Sequence, residues 1–228
     1  MPNSYQVNAS KLNVSDKVLT RNKLGLSSNH FVFCCFNNAY KITPEIFSSW
    51  MRILHKTEES QLWLLANNDM TIENLKKEAV KQGISDTRLV FAPYVNLSEH
   101  LNRIKHADLF LDTRPYNAHT TSSDALRMGL PVLTCIGKSF PSRVAASILN
   151  SVNLPELITE TEKEYESLAI ELATNPIKLK SIKKKLIDNL PTAPLFDTPL
   201  FTRKLESAYQ TMYDKHHKGM KPEHIYVD

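Results

Sequence analysis

The chain predicts an α/β domain: a Rossmann-like parallel sheet with helices on both faces, followed by C-terminal packing helices. Three observations lead there. From about residue 30 onward, short runs rich in β-branched and aromatic residues alternate with segments of helical period. The short runs are apolar at successive positions rather than at every second one, as strands covered on both faces must be. After residue 155 only helical periods remain. Strand, helix and strand in repeated alternation is the pattern of a parallel sheet wrapped by its own crossovers.

Taken in order, residues 1–29 are polar and without a clear period, and read as a linker or lead-in to a domain spanning 30–228. The first strand is Phe31-Val32-Phe33-Cys34-Cys35-Phe36. A loop at 37–43 then runs into a helix over 44–56, with Pro44 where proline's fixed φ suits a helix start. Leu62-Trp63-Leu64-Leu65 is the second strand, residues 71–82 the next helix, and Leu89-Val90-Phe91 the third strand. Asn96, with Glu99 three residues later, marks a helix start for 97–106; Leu97, Leu101 and Ile104 point to the sheet, and His100 and Arg103 stand one turn apart on another face. Leu109-Phe110-Leu111 and Pro131-Val132-Leu133-Thr134 are further strands, separated by a helix at 122–128 that stops at Gly129. A helix near 142–150 follows. Amphipathic runs at 161–174, 176–190 and 199–217, divided by Pro176, Pro191 and Pro194, then pack on the domain.

Composition excludes several classes. Hydrophobic residues at 42% and charged residues at 23% suit a folded globular chain rather than a disordered or fibrous one. No apolar run is long enough to span a bilayer, and the polar start lacks a secretory signal, so a cytoplasmic location is expected and no membrane partner. Cys34, Cys35 and Cys135 lie inside apolar strand-like runs and read as buried core thiols. The net charge of +4 includes Lys183-Lys184-Lys185, but these sit in a helical, mixed-charge stretch that reads as a solvated face, so no nucleic-acid partner is expected.

The familiar nucleotide fingerprints fail. The five glycines, Gly25, Gly83, Gly129, Gly137 and Gly219, are too far apart for GxGxxG. Gly137-Lys138-Ser139 looks like the end of a P-loop, but the earlier glycine it needs falls on Val132. HExxH, CxxC and GxSxG are absent, and no metal or cofactor is expected.

What remains lies on loops that leave the carboxyl ends of strands, where ligands collect in such sheets. Asn117-Ala118-His119-Thr120-Thr121-Ser122-Ser123-Asp124 joins a strand to a helix. The unpaired N–H groups and dipole of a helix start favour an anion, and His119, Thr120 and Thr121 add donors. The same residues are also compatible with a plain cap, Thr121 with Asp124 as its capping-box acid. In the first loop Lys41, with Asn38 beside it, is compatible either with neutralising a departing phosphate or with a plain surface lysine before a helix start. His100 and Arg103 can stack on and flank a base, or stand as an exposed pair on the helix surface.

The motifs Phe36-Asn37-Asn38-Ala39-Tyr40-Lys41-Ile42, Glu99-His100 with Arg103, and Leu111-Asp112-Thr113 followed by Asn117-Ala118-His119-Thr120-Thr121 with Asp124 resemble the catalytic C-terminal half of the protein O-GlcNAc transferase family. Later segments, Ser142-Arg143-Val144-Ala145-Ala146-Ser147, Leu154-Pro155-Glu156-Leu157-Ile158, Pro194-Leu195-Phe196-Asp197 and Gly219-Met220-Lys221-Pro222, are similar in the same order. The resemblance implies the C-terminal half of a GT-B glycosyltransferase. This half would bind UDP or UDP-GlcNAc and, with an N-terminal catalytic half and an acceptor protein as partners, transfer the sugar to protein Ser or Thr with inversion. It implies that His119, Thr120 and Thr121 hold the diphosphate and that Lys41 supports the leaving phosphate. It further implies that Asp124 holds the ribose, that His100 and Arg103 attend the uridine, and that Asn38 lies beside the nucleotide. Three positions depart from the family: Leu97 replaces a common lysine, Ala118 a usual glycine, and Arg114 is uncommon in its loop. The N-terminal half and the family's acceptor-binding helical repeats would precede this chain, so it is expected to be a fragment or split half, inactive alone. A non-catalytic module that binds a UDP-sugar is the alternative.

Overall fold

The computed structural model describes residues 1–227. Six strands form one parallel sheet: β1 (Phe31–Cys35), β2 (Ser60–Leu65), β3 (Leu89–Ala92), β4 (Leu109–Leu111), β5 (Val132–Cys135) and β6 (Ile158–Thr159), in the spatial order β3-β2-β1-β4-β5-β6. The continuous apolar runs have the cause inferred from sequence. Val32, Phe33, Cys34 and Cys35 are all fully buried although their side chains alternate between faces, as are Leu62, Trp63 and Leu64 beside them.

Among the described residues there are eight α-helices: α1 (Pro44–Lys56), α2 (Asp69–Lys81), α3 (Leu97–Ile104), α4 (Thr120–Arg127), α5 (Val144–Ser151), α6 (Glu162–Thr174), α7 (Pro176–Asn189) and α8 (Thr198–His217). The chain moves one way along the sheet from β1 to β3 and the other way from β4 to β6. Right-handed crossovers therefore put α1 and α2 on one face and α3, α4 and α5 on the opposite one. Side-chain caps fix several starts: Thr43 accepts from the Ile46 N–H, Asn68 from Thr71, Asn96 from Glu99, and Thr161 forms a full capping box with Glu164. None of the helices is long and apolar enough to cross a membrane among the described residues.

Two expectations are corrected. The region after residue 155 is not helical only, because Ile158 and Thr159 pair with Thr134 and Cys135 as a sixth strand. Two residues are too few to show a period; the strand exists because β5 offers an open edge. Leu97 does not point to the sheet but is about half exposed, while Leu101 and Ile104 are fully buried as expected. At the first turn of α3 the helix has not yet reached the core. Among non-glycine residues described, positive φ occurs only at Asn153, so Ala118, fully buried, adopts a backbone open to any residue.

A buried polar chain connects the fold to the carboxyl edge of the sheet. Trp50 on α1 donates from Nε1 to the Tyr165 hydroxyl at 3.2 Å, and Tyr165 on α6 donates in turn to the Asp112 carbonyl at 3.0 Å. All three residues are within or beside the core. Tyr165→Phe leaves the Trp50 donor and a backbone acceptor unpaired in a dry site. The expected loss is about 1–3 kcal/mol of unfolding free energy in urea titration; an unchanged midpoint would show that the chain of bonds contributes no stability.

Candidate functional site

The strand order places a switch point between β1 and β4, since the chain leaves β1 toward β2 and leaves β4 toward β5. The loops that follow these neighbouring strands diverge and open a crevice. Phe33 and Cys34 of β1 are in register with Leu109 and Phe110 of β4, so the residues just beyond, Phe36 to Lys41 and Asp112 to His119, face each other across it.

Asp112 organises one wall. Its Oδ1 accepts from the N–H groups of Thr113 at 2.8 Å and Ala118 at 2.6 Å, and its Oδ2 accepts from the Thr134 hydroxyl on β5 at 2.6 Å. Burial pushes its carboxyl up to about 7 against these hydrogen bonds and the nearby Lys41 ammonium. The rest of the loop closes on itself: Thr113 Oγ1 donates to the Tyr116 carbonyl at 2.7 Å, and Asn117 Nδ2 to the Thr113 carbonyl at 2.8 Å. Arg114, the uncommon residue, reaches away to pair with Glu162 on α6 at 2.6 Å and so anchors the loop from outside.

From the other wall, Asn37 is buried and bridges the two loops. Its Nδ2 donates to Thr113 Oγ1 at 2.7 Å and its Oδ1 accepts from Thr121 Oγ1 at 2.5 Å. That bond commits the Thr121 hydroxyl to Asn37 rather than to a capping role. Thr121 is not the N-cap, because α4 begins at Thr120 with His119 in the capping position and no side-chain cap. The N–H groups of Ser122 and Ser123 return to the His119 carbonyl, which leaves those of Thr120 and Thr121 without an intrahelical acceptor at the positive end of the helix.

Lys41 ends a short 3-10 helix, Ala39–Lys41, whose cap is Asn38; the exposed Asn38 side chain accepts from the Tyr40 N–H at 3.5 Å. Lys41 Nζ crosses the crevice to donate to the Asn117 carbonyl at 2.9 Å and lies 3.9 Å from the centre of the Tyr116 ring. Burial lowers the affinity of this ammonium for its proton, with Asp112 opposing. His119 is half-buried beside Tyr116, with ring centres 5.2 Å apart, and burial and Lys41 both favour its neutral form. A cation and the N-terminus of a helix thus converge on one spot, an arrangement suited to an anion.

The second cluster stands beside the first through Phe36. His100 lies 5.2 Å edge-on from the Phe36 ring, and the Arg103 guanidinium 5.1 Å from it. Arg103 is buried, donates from Nη1 to the Pro93 carbonyl at 2.6 Å, and approaches His100 Nδ1 at 3.3 Å. Burial, then Arg103, drives the His100 ring down to about 4, so it is neutral near pH 7 and presents an uncharged flat face. A cavity of about 290 Å³ adjoins Arg103, walled by Trp63, Phe91, Val95 and Leu24.

Of the residues singled out from sequence, Lys41, His119, Thr120 and Thr121 meet at the crevice and His100 pairs with Arg103. Asp124, one turn into α4, is buried. The sequence left out Asn37, Asp112 and Tyr116, which hold the loops, and Tyr5. Asp112 and Asn37 had a usable signal: each is polar directly after a continuous apolar strand, where a side chain has backbone N–H groups to satisfy. Tyr5 had none. The segment around it runs along α4 and α5, and its hydroxyl lies 2.7 Å from His119 Nδ1.

Comparison with known proteins follows the same lines. The family model described as glycosyl transferase family 41 matches residues 4–205. The whole chain is 35% identical to the probable UDP-N-acetylglucosamine–peptide N-acetylglucosaminyltransferase SEC of Arabidopsis thaliana, covering 24% of that protein. Over 90% of the chain, it is 34% identical to the UDP-N-acetylglucosamine–peptide N-acetylglucosaminyltransferase of Caenorhabditis elegans, covering 18% of it. The chain therefore spans about a quarter or less of these relatives. Among solved structures, a mutant O-GlcNAc transferase of Thermobaculum terrenum superposes with a TM-score of 0.78 at 28% identity, covering 93% of this chain and 39% of that one. Trehalose-6-phosphate synthase, at 14% identity and a TM-score of 0.53 over 78% of this chain and 43% of that one, shares the fold. The architecture is that of the C-terminal half of a GT-B fold.

Asp124 supplies a pH test of the site. Burial pushes its carboxyl up to about 6, with Arg127 opposing, whereas an unfolded aspartate titrates near about 3.9. Between these values the folded chain holds more protons than the unfolded one, so this group lowers stability as pH rises from about 4 to about 6 and adds no further slope above. Urea unfolding of the parent and Asp124→Asn across this window should show the parent losing stability relative to the variant. A difference independent of pH would contradict the assignment.

Proposed function

Because the chain belongs to glycosyl transferase family 41, we propose that it is the UDP-sugar-binding half of an inverting, cytoplasmic protein glycosyltransferase that moves GlcNAc from UDP-GlcNAc to serine or threonine hydroxyls. The observation that carries this reading is the meeting of Lys41 Nζ with the open N-terminus of α4 across the β1/β4 switch point. In sugar transfer from a nucleotide the bond from the anomeric carbon to the diphosphate breaks, and negative charge grows on the departing phosphate oxygen. A fixed ammonium and two unpaired backbone N–H groups, already in place in a partly dry crevice, stabilise that charge without reorganisation. Lys41 is the catalytic group on this account. His119, Thr120 and Thr121 hold the diphosphate, and the buried Asp124 carboxylate, ionised near neutral pH, accepts from the ribose hydroxyls. The neutral His100 ring and Arg103 flank the uracil at the mouth of the apolar cavity, with Asn38 beside the nucleotide.

The acceptor side is assigned to an N-terminal half. A row of aromatic rings edges the crevice, exposed except for the half-buried His119: Tyr40 is 6.3 Å from Tyr116, Tyr116 is 5.2 Å from His119, His119 lies 5.7 Å from Tyr5, and Tyr5 is 5.0 Å from Phe140. Apolar surface rimming the donor crevice suits a face that closes against a second catalytic half and an acceptor polypeptide, and it favours this reading over a self-contained binding module. The curated relatives, about four times longer or more, have room for both.

Calorimetric titration with UDP and with UDP-GlcNAc tests the donor assignment. The parent chain should bind both, and Lys41→Ala should weaken UDP roughly 10- to 100-fold, as expected for losing a hydrogen bond to a charged group. Sugar release and transfer should be undetectable for this chain alone. No UDP binding by the folded parent would overturn the donor site, and transfer by the chain alone would overturn its dependence on a second half.

A further inference from the structure

We infer that Tyr5 is a positioning residue that fixes the ring and the tautomer of His119. The functional consequence rests on the donor reading above; the structural claim does not. A neutral imidazole carries one donor and one acceptor nitrogen, and its neighbours select which is which. On one side the Tyr5 hydroxyl lies 2.7 Å from Nδ1. On the other, Nε2 is buried without a hydrogen-bond partner. A phenol O–H is a strong donor and a weak acceptor, and a neutral imidazole nitrogen is a strong acceptor, so the pair forms with Tyr5 donating to Nδ1 and the ring proton on Nε2. Nε2–H is then a donor with no committed partner at the start of α4, which is the form an anionic oxygen requires.

Tyr5 is held for this task by the segment that carries it. The Asn3 carbonyl accepts from the hydroxyls of Ser147 at 3.0 Å and Ser151 at 2.6 Å on α5. Gln6 Nε2 reaches Ser123 Oγ on α4 at 3.4 Å, Asn8 Nδ2 donates to the Leu195 carbonyl at 3.3 Å, and Arg127 donates to the Ser10 carbonyl at 3.2 Å. These bonds do not involve the phenol. Tyr5→Phe therefore keeps the strap and the edge-on contact with Phe140 while deleting only the hydroxyl.

The test is imidazole nitrogen NMR on the full chain with labelled histidine at pH 7.5, the His119 signals assigned with His119→Gln, and each protein also titrated with UDP. The parent should show a single His119 tautomer with the proton on Nε2 and a hydrogen-bonded, acceptor-type Nδ1. Tyr5→Phe should shift the Nδ1 resonance toward an unbonded or averaged value and weaken UDP about three- to tenfold, as expected for one hydrogen bond. A His119 spectrum unchanged in Tyr5→Phe, or a parent with the proton on Nδ1, overturns the inference. Failure of the parent to bind UDP would instead overturn the donor reading, and the spectrum would still decide the role of Tyr5.

Discussion

The site depends on one buried carboxylate. Asp112 stands at the end of β4, where the strand's last side chain meets a loop that must reverse and then start a helix. By accepting from Thr113, Ala118 and Thr134, it ties the strand end, the far end of the loop and the next strand into one unit. Ala118 immediately precedes His119, so the same carboxylate sets where α4 begins and where its unpaired N–H groups point. Burying a charge costs free energy that several hydrogen bonds must offset, and here the bonds that do so are those that build the anion site. Lys41 belongs to the same balance: it reaches the loop through the Asn117 carbonyl and feels the Asp112 charge.

Much of the fold was legible from the sequence because a parallel sheet leaves a strong trace. Both faces of each central strand are covered, so Phe31 to Phe36 and Leu62 to Leu65 read as unbroken apolar runs, and the cap at Asn96 marks a helix start through local chemistry alone. The sixth strand was not legible. Ile158–Thr159 is a strand because Thr134 and Cys135 present an edge to it, and a two-residue pairing has no pattern of its own.

The site divides in the same way. Lys41, His119, Thr120 and Thr121 were singled out because a cation and a helix start at strand ends carry their meaning locally. The bond from the Thr121 hydroxyl to Asn37, 84 residues away in the chain, was not legible. Tyr5 illustrates the limit most plainly: nothing near it in sequence indicates that its hydroxyl faces His119 across a separation of 114 residues. Long-range polar pairs of this kind are set by tertiary packing, and a sequence displays them only through the fold that brings them together.

The central claim is that a nucleotide diphosphate sits where Lys41 and the start of α4 converge. A crystal structure of the chain with UDP tests it most directly. The account predicts the terminal phosphate within hydrogen-bond reach of Lys41 Nζ and of the Thr120 or Thr121 N–H, with the base beside His100 and Arg103. A UDP seated elsewhere, its phosphates out of reach of both Lys41 and α4, would contradict it.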